Sequence, residues 1–136
     1  MKPDERVRLF REGLEAYASG DLDAALGYYH PDVEVTAPQW MNANLYRGHD
    51  GFIRWAQSWD EAWDSFGWEV KSVEAVGERH VVARVRLIGK GRESAIELDH
   101  EAGYVVDVRD GKAIYLEITR DEESAREIAH EREVSN

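Results

Sequence analysis

The sequence predicts an α+β fold, with helices first and then a curved, mainly antiparallel sheet closing over a pocket of aromatic side chains. Three observations carry this. Up to about Phe66 apolar residues recur at three- and four-residue spacing, and beyond Gly67 they alternate. The alternation fills four consecutive runs separated by glycine-containing turns. The last helical stretch gathers its aromatic residues on one stripe.

Residues 4–19 are predicted as a first helix, with Val7, Phe10, Leu14 and Tyr17 on one face. Ser19-Gly20 ends it, and Asp21 caps a short second helix carrying Leu22, Ala25, Leu26 and Tyr29. Pro31 stops that helix, and Val33–Ala37 alternates as a short strand. The stretch from Pro38 to His49 is long for a loop in a compact domain, which points to function. Asp50 is the expected cap of a third helix reaching about Phe66, whose stripe is Phe52, Trp55, Trp59 and Trp63. The alternating runs lie near 68–76, 81–88, 95–108 and 113–119. The polar tail after residue 121 has room for one more short helix. No repeat, low-complexity tract or linker divides the chain, so residues 1–136 are expected to form a single domain.

Composition removes several functions. With 17 basic against 28 acidic residues, the net charge of −11 repels phosphate backbones, and no basic patch offsets it. No nucleic-acid partner is expected. No apolar run approaches the roughly 20 residues that cross a bilayer, and the N-terminus lacks a secretory pattern. No membrane association is expected, and a cytoplasmic location is. The chain has no cysteine, which excludes disulfides, thiolate zinc sites and thiol nucleophiles. His30, His49, His80 and His130 show no metal-ligand spacing, and no phosphate loop, nucleophile elbow or dinucleotide fingerprint occurs. Neither a metal nor a cofactor is expected.

Alternation sorts the strands into faces. Leu98, His100, Ala102, Tyr104, Val106 and Val108 share the inner face, while Glu97, Asp99, Glu101 and Asp107 share an outer, wet one. Val81, Ala83, Val85 and Leu87 point inward, leaving Arg84 and Arg86 outside, opposite Asp99 and Glu97. A tight turn at Gly77-Glu78-Arg79 sets Trp68, Val70, Ser72 and Glu74 on the face of Ala83 and Val85. Glu74, Ala83 and His100 then form one row across three strands. The turn Arg109-Asp110-Gly111 suits a three-residue loop that puts Ile114, Leu116 and Ile118 inside and Tyr115 and Glu117 outside; a two-residue turn would bring Glu117 beside Tyr104.

The succession SGDLDAALGYYHPDVEV, YRGHDGFIRWAQSWDEAW and VRDGKAIYLEI resembles the SnoaL-like branch of the nuclear transport factor 2 superfamily along nearly the whole chain. The resemblance implies a cone, in which helices pack in the concavity of a strongly bent sheet around a pocket, commonly as a homodimer through the convex face. It also implies a choice of activities, since isomerases, dehydratases, cyclases, epoxide hydrolases and non-catalytic binders share that fold. The isomerase branch's first-helix Tyr and first-strand Asp fall here on Gly13 and Ala37, and its late-strand Asp falls near Tyr104. The final Asp of the epoxide hydrolases falls on Ile118.

The chemistry is therefore sought in the pocket. His100 is the candidate acid–base group, its ordinary pKa suiting proton transfer near neutrality. Tyr104, four residues on, is the candidate donor to a carbonyl or enolate oxygen, and Glu74 the group that orients His100 or returns the proton. Tyr17, Trp55, Trp59 and Trp63 are the candidate substrate-binding walls, with Trp40 and Met41 of the long loop, beside Asn42 and Asn44, forming a rim. Two functions stay open: cofactor-independent cyclisation, isomerisation or dehydration of a small hydrophobic molecule, and non-catalytic ligand binding or dimerisation.

Overall fold

The computed structural model describes residues 1–36, 45–93 and 96–134. Its elements run α1 (Pro3–Ala18), α2 (Leu22–Leu26), β1 (Tyr29–Thr36), β2 (Tyr46–Arg47), α3 (Gly48–Ala62), β3 (Trp63–Val76), β4 (His80–Gly91), β5 (Glu97–Arg109), β6 (Lys112–Thr119) and α4 (Glu122–Val134). The six strands form one open sheet in the order β2-β1-β6-β5-β4-β3. Every neighbouring pair is antiparallel except β1 and β6. The α+β class and the mainly antiparallel sheet are those the sequence predicts.

The helices differ from expectation at their ends. Asp21 caps α2 as predicted, its side chain accepting from the Ala24 amide at 3.0 Å, but the helix stops at Leu26. Tyr29 and Pro31 therefore belong to β1, whose pairing with β6 is irregular between Tyr29 and Glu34. Proline is tolerated there because a missing N–H costs little where the ladder is already broken. The N-cap of α3 is Arg47 and not Asp50, and the helix ends at Ala62. Arg92 closes that end: its amide donates to Ala62 O at 3.1 Å and its guanidinium to the carbonyls of Asp60 and Trp63 at 3.0 and 3.2 Å. The chain is extended from Trp63 onward, so Trp63 leaves the helical stripe and opens β3.

Beneath α1 and α3 the sheet's inner face holds the main core, built on Phe10, Phe52, Trp55, Val85, Leu87, Tyr104 and Ile118. Two hairpins reach this core by a route alternation alone does not predict. In the first, Val76 pairs with His80 across a three-residue turn, so Val73 and not Glu74 lies opposite Ala83. Lys71 is then an extra residue between the Val70–Val85 and Ser72–Arg84 pairs, and this bulge restores Trp68 and Val70 to the inner face. In the second, Arg109 pairs with Lys112 across a two-residue turn, Asp110-Gly111, with φ of 54° and 74° at its two positions. Left-handed values at both are those of the hairpin turn that matches strand twist. A bulge at Ile114 brings Leu116 and Ile118 back inside, and Ile114 itself leaves the core.

Arg84 and Arg86 are on the outer face, in a register other than the expected one: Arg86 pairs in the ladder with Glu101 and makes two hydrogen bonds of 2.8 Å to Asp99. Glu97, Asp99 and Glu101 are exposed on that face as expected, but the face is not wet throughout. Helix α4 covers part of it, packing Ala125 and Ala129 on Val76, Val82 and Val105. Asp107, expected in solvent, is fully buried there. It meets Arg79 Nε at 3.1 Å and Arg132 at 3.2 Å, with His80, also fully buried, at 3.7 Å. From the other side of the turn, the buried Arg6 of α1 donates to the carbonyls of His80, Gly77 and Val76.

Glu133 fastens α4 to this cluster. It accepts from the amides of Glu78 and Arg79 at 3.0 and 2.9 Å and from His80 Nδ1 at 2.5 Å. Burial works against its charge, but these donors outweigh it and hold the carboxyl at about 2. Burial also pushes the His80 imidazole below its ordinary value, against the pull of Glu133 and Asp107. Both shifts are downward, so both groups stabilise the fold at neutral pH and withdraw that support in acid. The His80 contribution begins to fade below its ordinary 6.5, and that of Glu133 is complete above 4.5 and lost as pH falls toward about 2. Urea denaturation at stepped pH is expected to show stability falling through this range. Glu133→Gln is expected to flatten the part below pH 4.5.

Candidate functional site

The site is built where the C-terminal ends of α1 and α3 meet the start of β3. An extra residue, Asp64, sits between the Trp63–Gly91 and Ser65–Lys90 pairs. This bulge puts Trp63 and Phe66 on the same side of the strand, three residues apart, where strict alternation would oppose them. Their rings lie 5.7 Å apart. Trp59, one turn before the end of α3, stacks tilted on Phe66 at 4.5 Å, and Phe66 meets Trp68 edge-on at 4.6 Å. Tyr17, from the end of α1, closes on Trp68 at 5.4 Å with planes at 88°. Five rings from three elements thus make one continuous wall.

The wall separates two spaces. Outside lies a cleft of about 320 Å³, bordered by Tyr17, Leu22, Trp59, Asp60, Trp63, Asp64, Phe66, Trp68 and Arg92. That volume falls at the lower end of the range typical of small-molecule sites. Inside lies a cavity of about 30 Å³ between α1 and the sheet, lined by Phe10, Gly13, Tyr17, Tyr28, Tyr29, Trp55, Trp68, Tyr104 and aliphatic neighbours. It has room for one or two water molecules. Tyr17 and Trp68 line both spaces, so this ring pair is the partition between them.

Among the described residues, none that lines the inner cavity is charged. Its polar atoms are phenols and indoles. Burial raises the pKa of Tyr17, Tyr29 and Tyr104, and the first is raised further by Tyr29 and Asp60. These hydroxyls stay protonated throughout the physiological range, as hydrogen-bond donors and not as bases. The Tyr104 ring meets Phe10 edge-on at 5.9 Å. The indole N–H groups of Trp55 and Trp59 are buried and have no acceptor among the described residues.

The sequence-derived candidates divide accordingly. Tyr104, Tyr17 and Trp55 line the inner cavity, and Tyr17, Trp59 and Trp63 line the cleft. Trp40, Met41, Asn42 and Asn44 lie outside the described residues. Two candidates are misplaced. Glu74 is on the outer face, bound to Arg126 of α4 at 2.8 Å, because the first hairpin's register sets it opposite Val82. His100 is exposed and its Nε2 meets the Arg120 carbonyl at 2.8 Å. The ladder between β5 and β6 ends at the Gly103–Thr119 pair, so His100 stands beyond the end of β6. The row of Glu74, Ala83 and His100 does not form. Among the described residues, no three His, Asp or Glu side chains are grouped to hold a metal ion, and no helix is long and apolar enough to cross a membrane.

Sequence reasoning overlooked Asp60, Phe66, Tyr28 and Tyr29 as wall residues. Trp68 was legible as inward-facing, but nothing in the sequence marked it as the partition. The signal for Phe66 lay in the Trp-Asp-Ser-Phe spacing, which reads as helix until the bulge is known.

Comparison with known proteins places the fold in a family. The profile of the SnoaL-like domain matches residues 10–116, which takes in every wall residue above. The chain belongs to the SnoaL-like domain family. An NTF2-like protein of unknown function from Burkholderia pseudomallei K96243 superposes with a TM-score of 0.78 at 20% identity, over 91% of this chain and 95% of that one. TerC, co-crystallised with polyporic acid, superposes at 0.76 with 18% identity, over 93% and 98%. A protein from Jannaschia sp. CCS1 that carries the name SnoaL-like polyketide cyclase superposes at 0.74 with 16% identity, over 85% of each chain. At these identities the likeness is one of fold. No curated protein sequence matches the chain.

Proposed function

We propose that this SnoaL-like chain binds a small, flat, mainly apolar molecule carrying a carbonyl or hydroxyl oxygen. The continuous wall of Tyr17, Trp59, Trp63, Phe66 and Trp68 along the cleft carries the reading. Stacked and edge-on ring contacts reward a planar ligand beyond the area it buries. Behind the wall, protonated phenols and unpaired indole N–H groups supply donors, and an unpaired buried donor costs about 1–3 kcal/mol that a ligand oxygen would relieve. The relatives fit this picture: one was crystallised with polyporic acid and another carries a polyketide cyclase name.

Binding is the reading the ring wall carries; the described lining of the inner cavity offers donors without a base, and the carboxylates of Asp60 and Asp64 stand in the cleft. The test is a titration of tryptophan fluorescence with neutral two-ring aromatics bearing one oxygen, such as 1-naphthalenemethanol. Saturable quenching is expected, weakened about tenfold in Trp63→Ala, since stacking on one aromatic side chain contributes about 0.5–1.5 kcal/mol beyond buried area. Absence of saturable binding across such a panel would overturn the reading.

A further inference from the structure

We infer that the outer cleft selects ligands carrying a positively charged amine, with Asp60 as the group that recognises the charge. This rests on the aromatic-ligand reading above and adds the sign of the ligand's charge to it.

Three observations point the same way. The ring faces along the cleft present the electron-rich surface that attracts an ammonium group, and Trp59 stacked on Phe66 at 4.5 Å makes that surface broad. Asp60 stands beside it, in the last turn of α3, where the helix carbonyls concentrate negative potential. Its carboxylate makes no ion pair among the described residues, whereas the other acid of the cleft, Asp64, faces Arg92 at 3.7 Å.

Among the described residues Arg92 is the one cation bordering this cleft, and its position supports the assignment. Its guanidinium is taken up by the carbonyls of Asp60 and Trp63 and by Asp64, so the end of α3 already holds one positive group by its backbone. Among the described lining residues two acids stand against one base, and Asp60 is the acid without an ion pair. The field of Asp60 reaches the partition, where it contributes to keeping the Tyr17 phenol protonated. An anionic ligand entering this cleft meets Asp60 and a chain of net charge −11.

The experiment compares three probes of one ring system on the intact protein: protonated 1-naphthylmethylamine, neutral 1-naphthalenemethanol and anionic 1-naphthoate. Each is titrated against wild type and Asp60→Asn at low and high salt. The amine is expected to bind wild type about tenfold more tightly than the alcohol, and the carboxylate most weakly, with salt narrowing the differences. In Asp60→Asn the amine's advantage over the alcohol should vanish. If the alcohol binds but the amine is no tighter, the charge selectivity is overturned and the aromatic-ligand reading stands. If the amine keeps its advantage in Asp60→Asn, the assignment to Asp60 is overturned. If no probe binds, both readings fall together.

Discussion

Replacing Asp107 by alanine is expected to destabilise the protein by about 3–5 kcal/mol, the usual cost of removing one partner from a buried ionic cluster. Asp107 is fully buried, and Arg79 of the β3–β4 turn and Arg132 of α4 reach it at 3.1 and 3.2 Å. Without it, Arg79 and Arg132 lose their common counter-ion beneath α4. His80, 3.7 Å away, loses the carboxylate facing its Nε2, a nitrogen with no other partner among the described residues. Urea denaturation measures the loss, and hydrogen exchange should find α4 amides the first to open. A change below about 1 kcal/mol would mean that the cluster contributes geometry without net stability, as some buried ion pairs do.

The second large effect belongs to the pocket. Trp55 is 4% exposed, lies 5.7 Å from Tyr17 and 5.9 Å from Phe52 between ring centres, and forms part of the inner cavity's wall. Trp55→Ala is expected to cost about 3–5 kcal/mol, because the surrounding rings cannot collapse fully into the space of an indole. The void should join the existing 30 Å³ cavity, giving a chamber large enough for a small apolar ring. Added indole or benzene should then raise the melting temperature of the variant and leave that of the wild type unchanged. A variant that loses stability with no response to either compound would mean that the site collapses instead.

How much of this was legible in the sequence depends on what each residue's period reports. Helical spacing placed Phe10, Tyr17, Trp55 and Trp59 correctly, since a helix face is fixed by residues a few positions apart. Strand parity placed Val85, Leu87, Tyr104 and Leu116, because each lies where alternation runs unbroken from its turn or where a bulge cancels the turn's error. Glu74 failed because a hairpin's register is set by its turn, and one residue's difference moves a side chain through the sheet. His100 failed for another reason: parity gives a side chain's face, and says nothing of where the neighbouring strand ends. The cluster around Asp107 and His80 was illegible because α4 is polar along most of its length. Its two buried alanines, Ala125 and Ala129, are too small to announce an apolar face.

The bulges that shape the site also bear on what the sheet's border offers to a second chain. β3 is the outermost strand on one side of the open sheet and runs for 14 residues, while the strand at the opposite border, β2, has two. A long unpaired border is a template on which a second chain can extend the ladder and begin an aggregate. Extra residues at Asp64 and Lys71 interrupt that template twice, and Lys71 and Glu69 set an ion pair along it. An incoming strand could match only short stretches between the interruptions. The irregularities that turn Trp63 and Phe66 toward the cleft therefore also break up the ladder that the border of β3 offers.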